Sequence, residues 1–172
     1  MKQRIAILGC GNLGMSMANG LLMNSDFNPE LLQVSKRNSA SLVGLSKQGV
    51  KTFDNNAMAI DQAELVVLAV KPYDVHVVLE DIKHDFDPKR QILISVATGI
   101  SIAEINKFIP EATVFRAMPN IAADVMESIT CISTNSNDEE KINAVEHLFK
   151  HIGKILYIKE ELMEAATVLG AC

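Results

Sequence analysis

Three glycines near the amino terminus have the spacing of a turn that holds phosphate groups. Gly9, Gly11 and Gly14 form a G-x-G-x-x-G pattern between the apolar run RIAIL and a segment with helical periodicity. In such a turn the first glycine makes a tight bend, the second lets the backbone approach a pyrophosphate, and the third lets the helix pack on the strand. The amides of Asn12 and Leu13 would open that helix, where free N–H groups favour anions. The pattern predicts a dinucleotide site, and a turn that only packs strand against helix is the alternative.

The residues after the second predicted strand indicate which dinucleotide would bind. An NAD site has an Asp or Glu about 20 residues beyond the glycines, where it binds the ribose 2′-hydroxyl. This chain instead has Ser35, Lys36 and Arg37 there, followed by Asn38 and Ser39. Hydroxyl donors and two cations suit a 2′-phosphate, because that anion favours charge-assisted hydrogen bonds, above all from arginine. We therefore predict NADP, with NAD as the alternative if the basic pair is only a solvated loop.

Apolar runs alternate with amphipathic segments along the whole chain. The runs typical of strands are RIAILG, LLQVSK, VKTF, AELVVLAV, QILISVA, TVFRAM, SITCIST and KILYI. The segments typical of helices are residues 12–23, 42–47 and about 137–151, the stretches YDVHVVLEDI and SIAEINKFI, and a last stretch from residue 160. This alternation predicts an α/β fold of the Rossmann type, with a doubly wound, mainly parallel sheet and helices on both faces. Because no linker-like composition interrupts it, residues 1–172 form one predicted domain.

Composition and charge exclude several classes of function. The chain has 172 residues, of which 48% are hydrophobic and 5% aromatic, and its net charge is −5. It lacks the basic surface and aromatic platforms that nucleic-acid binding needs. Its apolar runs are too short to cross a membrane, and the glycine turn interrupts the first of them before it could form a signal peptide. The scattered cysteines Cys10, Cys131 and Cys172 include no C-x-x-C pair, which favours a reducing, cytoplasmic location.

A histidine pair and one cysteine could be chemically active, but a structural role is favoured for both. His147 and His151 stand four residues apart on a predicted helix, a spacing that two metal ligands can share. Imidazoles near a helix C-terminus are a more common reason for such a pair, so we predict no metal. Cys10 is expected to fill space within the glycine turn rather than to react as a thiol.

Three further motifs give the sequence its resemblance to the pyrroline-5-carboxylate reductase family. They are AVKP at residues 69–72, SVATG at residues 95–99 and RAMPN at residues 116–120, in that order after the glycine turn. The resemblance implies reduction of a small cyclic imine, 1-pyrroline-5-carboxylate, to L-proline with NADPH or NADH, the last step of proline biosynthesis. Because the cofactor carries the hydride, the protein has to position the two reactants and exclude water, and it needs no nucleophile–base pair.

The resemblance also implies which residues hold the cofactor. The glycine turn would contact the pyrophosphate, the basic segment the adenosine phosphate, Asn56 the adenine ribose, and the AVKP turn the nicotinamide ribose. Met118, Pro119 and Asn120 would lie beside the nicotinamide and the substrate. The alternatives are a core position for Met118 and a loop-orienting role for Lys71. The full cofactor set is Gly9, Gly11, Asn12, Leu13, Gly14, Ser35, Lys36, Arg37, Asn56, Ala69, Val70, Lys71, Pro72, Ala97, Gly99 and Asn120.

Three positions depart from the family's pattern. Ile121 and Ala122 stand where the family has Thr-Pro, Ser128 stands where it has glycine, and VLGAC at residues 168–172 replaces a stretch rich in serine and glycine. Two alternatives therefore stay open. One is a related NADP-dependent oxidoreductase for another small imine or keto substrate, and the other is a non-catalytic nucleotide-sensing module.

Family members continue into a helical domain that dimerises and carries the pocket for the substrate carboxylate. The resemblance therefore implies that this chain is the cofactor-binding part of a longer enzyme and is inactive alone. It also implies that the full-length protein is a homo-oligomer. We expect an apolar patch at residues 165–169, where the helical domain would dock.

Overall fold

A computed structural model describes residues 3–170, in which strands and helices alternate. The strands are β1 Ile5–Leu8, β2 Leu32–Ser35, β3 Lys51–Phe53, β4 Leu65–Leu68, β5 Ile92–Ser95, β6 Thr113–Met118, β7 Ser128–Thr134 and β8 Gly153–Tyr157. The helices are α1 Asn12–Met23, α2 Val43–Ser46, α3 Asn56–Ile60, α4 Pro72–Ile82, α5 Ile102–Ile105, α6 Glu139–Lys150 and α7 Met163–Gly170. Short 3₁₀ turns cover Pro29–Leu31, Ser39–Leu42, Ile121–Val125 and Glu160–Leu162.

The strands form one sheet in the order β3-β2-β1-β4-β5-β6-β7-β8. Strands β1 to β6 are parallel, β7 is antiparallel to β6, and β8 is parallel to β7. The predicted doubly wound, mainly parallel fold is therefore confirmed. The strand order reverses between β1 and β4, and in such sheets ligands bind in the crevice outside the carboxyl ends of those two strands.

The central strands are apolar throughout because each face of the sheet carries its own core. In β1, Ile5 and Ile7 belong to the cluster that packs under α1 and α6. Ala6 and Leu8, which point to the opposite face, join the cluster under α3, α4 and α5. Side chains alternate between faces along a strand, so a strand covered on both sides has no polar positions. The same two clusters fix β1 and β4 side by side, and these strands carry the site.

The direction of the last two strands follows from loop length. Only residues 119–127 separate β6 from β7, and a parallel crossover needs a dozen or more residues, usually with a helix. Strand β7 therefore returns antiparallel to β6. The longer link to β8 contains α6, whose first turn is capped by the Asp138 carboxylate accepting from the amides of Glu140 and Lys141 at 3.0 and 3.3 Å.

The carboxyl-terminal end of the described chain leaves apolar side chains exposed. Val168, which belongs to the expected patch at residues 165–169, is 69% exposed, and Leu162, which precedes that patch, is 53% exposed. The side chain of Leu169, and Cys172, lie outside the described residues. Within residues 3–170, the helices are all too short or too polar to cross a membrane.

Candidate dinucleotide-binding site

The first glycine of the turn is held where only glycine fits. Gly9 has a φ of +87°, and a Cβ there would lie 2.2 Å from Cγ1 of Val70. The amides of Gly9 and Cys10 both donate to the carbonyl of Ser35, at 3.1 and 3.0 Å. The turn is therefore fixed between the end of β2 and the segment that follows β4. Positive φ is a conformation that side chains with a Cβ adopt at a cost.

The other two glycines differ in their surroundings, and Gly14 has the packing role that the sequence pattern predicts. A Cβ on Gly14 would lie 2.9 Å from the carbonyl oxygen of Gly9 and 3.3 Å from Cβ of Ala69, so this glycine lets α1 pack closely. A Cβ on Gly11 would have no described atom within 4 Å. Gly11 is exposed and precedes α1, and no side chain among residues 3–170 caps that helix. The amides of Asn12 and Leu13 thus open a helix whose positive dipole end faces the crevice.

The end of β2 is joined to α3 by a pair of side chains that sequence analysis assigned to the adenosine half. Ser35 is buried, and its hydroxyl donates to Oδ1 of Asn56 at 2.7 Å. The amide nitrogen of Asn56 donates to the Asp81 carboxylate at 3.3 Å. Both predicted residues therefore lie together at the carboxyl edge of the sheet. The structure adds Asp81, on α4, as the group that orients the Asn56 amide.

The basic pair after β2 lies at the rim of the crevice. Nη2 of Arg37 is 3.1 Å from Oδ2 of Asp74, and the Arg37 side chain is 88% exposed. Asp74 belongs to the first turn of α4, directly after the AVKP turn. Sequence analysis missed Asp74 because nothing in the pattern pairs it with a residue 37 positions earlier. An exposed pair of this kind holds an arginine loosely, so its guanidinium stays available to an anion.

Cys10 is sealed inside the turn. Burial raises the pKa of its thiol to about 11, and the positive charge of Lys36 acts in the opposite direction. The thiol therefore stays protonated at neutral pH, and since the thiolate is the nucleophile, Cys10 is inert. This agrees with the expected filler role.

The AVKP turn forms the opposite wall. The amide of Ala69 donates to the carbonyl of Leu8 at 2.8 Å, which extends the β1–β4 ladder to the mouth of the crevice. Lys71 is exposed, and its carbonyl accepts from the Asp74 amide at 2.9 Å at the start of α4. Pro72 occupies the first position of the helix, where its missing N–H costs nothing. These contacts are made by the Lys71 backbone, and its side chain does not cap α4, so both interpretations of Lys71 stay predictions.

Beyond β5, the SVATG turn brings small residues to the same edge of the sheet. Ala97 is buried, and Gly99 has a φ of +73° with no described atom within 4 Å of a Cβ built there. Gly99 is thus exposed, and its positive φ favours glycine although the space around it is open. The turn leads into α5, which begins with a capping box. The Ser101 hydroxyl accepts from the Glu104 backbone amide at 3.2 Å, and the Glu104 carboxylate accepts from the Ser101 backbone amide at 2.8 Å.

The RAMPN motif ends β6 at the far side of the crevice. Met118 and Pro119 are buried, and Met118 lies outside both main clusters. The Asn120 amide donates to the hydroxyl of Ser128 at 3.2 Å, and its side-chain oxygen accepts from the Ala122 amide at 3.2 Å. Two departures from the family's pattern therefore have structural roles. A proline at position 122 has no N–H to donate, and a glycine at position 128 has no hydroxyl to accept.

A buried ion pair next to this wall was not found from the sequence. Nη1 of Arg116 lies 3.0 Å from Oε1 of Glu160, and the Arg116 side chain is 8% exposed. The same oxygen accepts from the amide of Ile102 at 2.8 Å. An arginine inside the apolar run TVFRAM signals a buried partner, but the partner lies in a different segment that periodicity cannot pair with it.

The histidine pair on α6 lies away from the crevice. The rings of His147 and His151 are 4.7 Å apart, and Nδ1 of His151 contacts the carbonyl of His147. Burial and the neighbouring His151 lower the pKa of His147. Within the described part of the chain, no group of three or more His, Cys, Asp or Glu residues is placed to hold a metal.

With this geometry established, comparison with known proteins places the chain in a family. The family model described as "NADP oxidoreductase coenzyme F420-dependent" matches residues 4–99, which is more than half of the chain. The chain belongs to this family. The matched part of the family model covers the glycine turn, the basic segment after β2, the AVKP turn and the SVATG turn.

Within this family, the chain is similar to pyrroline-5-carboxylate reductases. Pyrroline-5-carboxylate reductase 1 of Dictyostelium discoideum is 33% identical over 181 residues, covering 98% of this chain and 33% of that protein. The Coxiella burnetii reductase structure matches with a TM-score of 0.92 at 27% identity, over 99% of this chain and 64% of that one. The Plasmodium falciparum enzyme with NADP bound has the same fold, with a TM-score of 0.85 at 24% identity. The match covers 98% of this chain and 62% of that one. The resemblance found from the motifs is confirmed, and the chain spans less than two thirds of each of these proteins.

Proposed function

We propose that residues 1–172 form an NADP(H)-binding domain. The observation that carries this proposal is the crevice between β1 and β4, where an open Gly11 and the start of α1 face the place of a pyrophosphate. The end of β2 supports NADP over NAD, because Lys36 and Arg37 replace the acid that a ribose hydroxyl requires. An exposed guanidinium beside this edge suits a 2′-phosphate.

The proposed reaction is reduction of 1-pyrroline-5-carboxylate to L-proline, the activity named in the relatives. Bound NADPH supplies the hydride in this chemistry. The chain's own residues bind and orient: the glycine turn holds the pyrophosphate, and Ser35, Asn56 and the basic pair hold the adenosine end. Ala69, Val70 and Pro72 line the nicotinamide ribose. Ala97 and Gly99 approach from β5, and buried Met118 and Pro119 exclude water from the nicotinamide side.

The substrate half of the site is proposed to lie outside residues 1–172. The resemblance assigns the carboxylate pocket and the dimer contacts to a helical domain, and the chain matches less than two thirds of each relative. The full-length protein is therefore proposed to be a homo-oligomer acting on a small imine, without nucleic-acid or membrane partners, in the cytoplasm.

A second candidate is an NADP-dependent oxidoreductase for a different small imine or keto substrate. The observation that favours it is that the Asn120 side-chain oxygen accepts from the Ala122 backbone amide, a contact that the family's proline at this position cannot make. A panel of imines and keto acids tested with the full-length protein separates the two candidates by kcat/KM. No turnover with any of them would favour a nucleotide-sensing module.

The test of the cofactor proposal is a calorimetric titration of this domain with NADPH and NADH at low salt. We expect saturable 1:1 binding of both, with NADPH the tighter ligand. Because the chain has no tryptophan, nicotinamide fluorescence gives an independent readout of the same binding. Equal affinities would contradict the NADP assignment, and no binding of either would contradict the proposed function itself.

A further inference from the structure

Three separate segments meet on one carboxylate oxygen beside the nicotinamide half of the proposed site. Oε1 of Glu160 accepts from Nη1 of Arg116 at 3.0 Å and from the amide of Ile102 at 2.8 Å. Arg116 is in β6, Ile102 opens α5, and Glu160 begins the 3₁₀ turn that leads into α7. A single side chain therefore ties together elements that are distant in sequence.

The contact between Arg116 and Glu160 is stabilised because the Arg116 charge is largely buried. The Arg116 side chain is 8% exposed and that of Glu160 is 35% exposed, so the pair lies at the inner edge of the surface. Removing one partner of a buried pair leaves the other charge without compensation, which is strongly unfavourable. Breaking the contact between Arg116 and Glu160 is therefore costly, above all for the buried guanidinium.

The two segments that Glu160 holds both carry residues of the nicotinamide half. Arg116 stands two positions before Met118, at the end of β6. Ile102 starts α5 three positions after Gly99, which lies with Ala97 in the turn before that helix. Movement of either donor would shift the wall against which the nicotinamide lies.

The adenosine half has its own, independent supports. The glycine turn is fixed by two amides that donate to the Ser35 carbonyl, and Asn56 is held by Ser35 and Asp81. None of these bonds involves Glu160 or Arg116. The two halves of the crevice can thus be perturbed separately.

We propose that Glu160 is a positioning residue that sets the nicotinamide half of the site through Arg116 and the Ile102 amide. This inference rests on the proposed cofactor function. It assigns Glu160 a role in placing the nicotinamide ring and no role in holding the adenosine phosphates.

The experiment compares two ligands on the same protein variants. NADPH occupies both halves of the site, whereas 2′,5′-ADP carries the adenosine and its phosphates without a nicotinamide. We expect Glu160→Ala to weaken NADPH at least about tenfold and to leave 2′,5′-ADP within about twofold, because misplaced positioning groups affect only the part they position. The enhancement of nicotinamide fluorescence on binding should fall in parallel.

Two further variants keep the test decisive. Glu160→Gln retains an acceptor oxygen and should recover part of the NADPH affinity, and it also serves if Glu160→Ala does not fold. Glu80→Ala removes an exposed carboxylate that pairs with Lys83 on α4 and should leave both ligands unchanged.

The outcomes separate the inference from the proposed function. Equal loss of both ligands in Glu160→Ala and Glu160→Gln, or no loss of either, would overturn the positioning role. Wild-type protein that binds 2′,5′-ADP and NADPH with equal strength has no nicotinamide contact to position, which would also overturn it. If the wild-type protein binds neither ligand, the proposed function fails, and this inference fails with it.

Discussion

At the scale of single residues, the contact between Arg37 and Asp74 decides how much positive charge the adenosine end presents. Arg37 is almost fully exposed, and its only described partner is the Asp74 carboxylate at 3.1 Å. Four of its five N–H donors can still turn to a phosphate, since a guanidinium presents them as a rigid fork. Two substitutions test the two sides of this contact.

Arg37→Ala should weaken NADPH much more than NADH. The expected loss for NADPH is about 1–3 kcal/mol, the range for hydrogen bonds to charged groups, and NADH has no 2′-phosphate to lose. Calorimetric titration of both cofactors measures the difference directly. A similar loss for both would show that Arg37 does not contact the phosphate.

Asp74→Asn should change affinity in the opposite direction. Removing the carboxylate charge leaves the Arg37 cation uncompensated, so NADPH should bind more tightly by up to about 1 kcal/mol, as expected for an exposed ion pair. NADH affinity should stay constant. The matched control is Asp87→Asn, which alters the exposed pair of Asp87 and Arg90 at 3.9 Å and should affect neither cofactor. Weaker NADPH binding in Asp74→Asn would mean that the carboxylate mainly orients Arg37.

At the scale of elements, the glycine turn separates a requirement of folding from a requirement of binding. Gly9→Ala places a Cβ 2.2 Å from the Val70 side chain at a φ of +87°, so the domain should lose stability by about 1–3 kcal/mol. Gly11→Ala meets no described atom within 4 Å and should leave Tm nearly unchanged while it weakens both cofactors. Thermal unfolding and titration of the two variants measure this difference. Equal loss of stability in both would contradict it.

The first turn of α5 makes a prediction about pH. Two hydrogen bonds to the Glu104 carboxylate lower its pKa below the ordinary value of 4.5. The backbone amide of Ser101 has the larger effect and its hydroxyl the smaller. A depressed carboxyl pKa stabilises the fold above the unfolded value, and that contribution is lost as pH falls through 4.5 and below.

Ser101→Ala should therefore cost about 1 kcal/mol at pH 7 through loss of the cap. The stability difference between wild type and variant should narrow as the pH falls below 4.5. Urea unfolding at a series of pH values measures it, with Ser136→Ala as a serine control outside the site. A difference that grows toward low pH would have the wrong sign.

At the scale of the whole molecule, cofactor binding and turnover should separate in this 172-residue chain. Hydride transfer needs both reactants in near-attack geometry, which is worth about 7–11 kcal/mol of the barrier. The residues proposed for the cofactor lie within the chain, whereas the pocket for the substrate carboxylate is proposed to lie outside it. A titration and a steady-state assay on one preparation test this. Turnover comparable to that of a full-length relative would contradict the two-part site.

The sequence by itself determined the order of the strands, most of the helices and the kind of cofactor. It did not predict the short helix α3 at Asn56–Ile60, which follows β3 directly. The glycine pattern, the continuous apolar strands and the missing acid after β2 depend on local sterics and charge, which short stretches of sequence express directly. The chain was therefore predicted correctly as a mainly parallel α/β fold. The roles of the individual cofactor residues remain predictions, because no bound cofactor tests them.

Only the tertiary structure decided which groups that are distant in sequence form hydrogen bonds and ion pairs with each other. Asp74 meets Arg37 across the crevice, and Glu160 meets both Arg116 and the Ile102 amide. Ser128 accepts from the backbone amide of Asn120, and Ala122 donates to its side-chain oxygen. No sequence periodicity or motif links the members of these pairs. The contacts between them depend on how the strands and helices pack together. Sequence periodicity predicts which face of a strand or helix a residue occupies. The groups that the residue contacts on that face are determined only by tertiary packing.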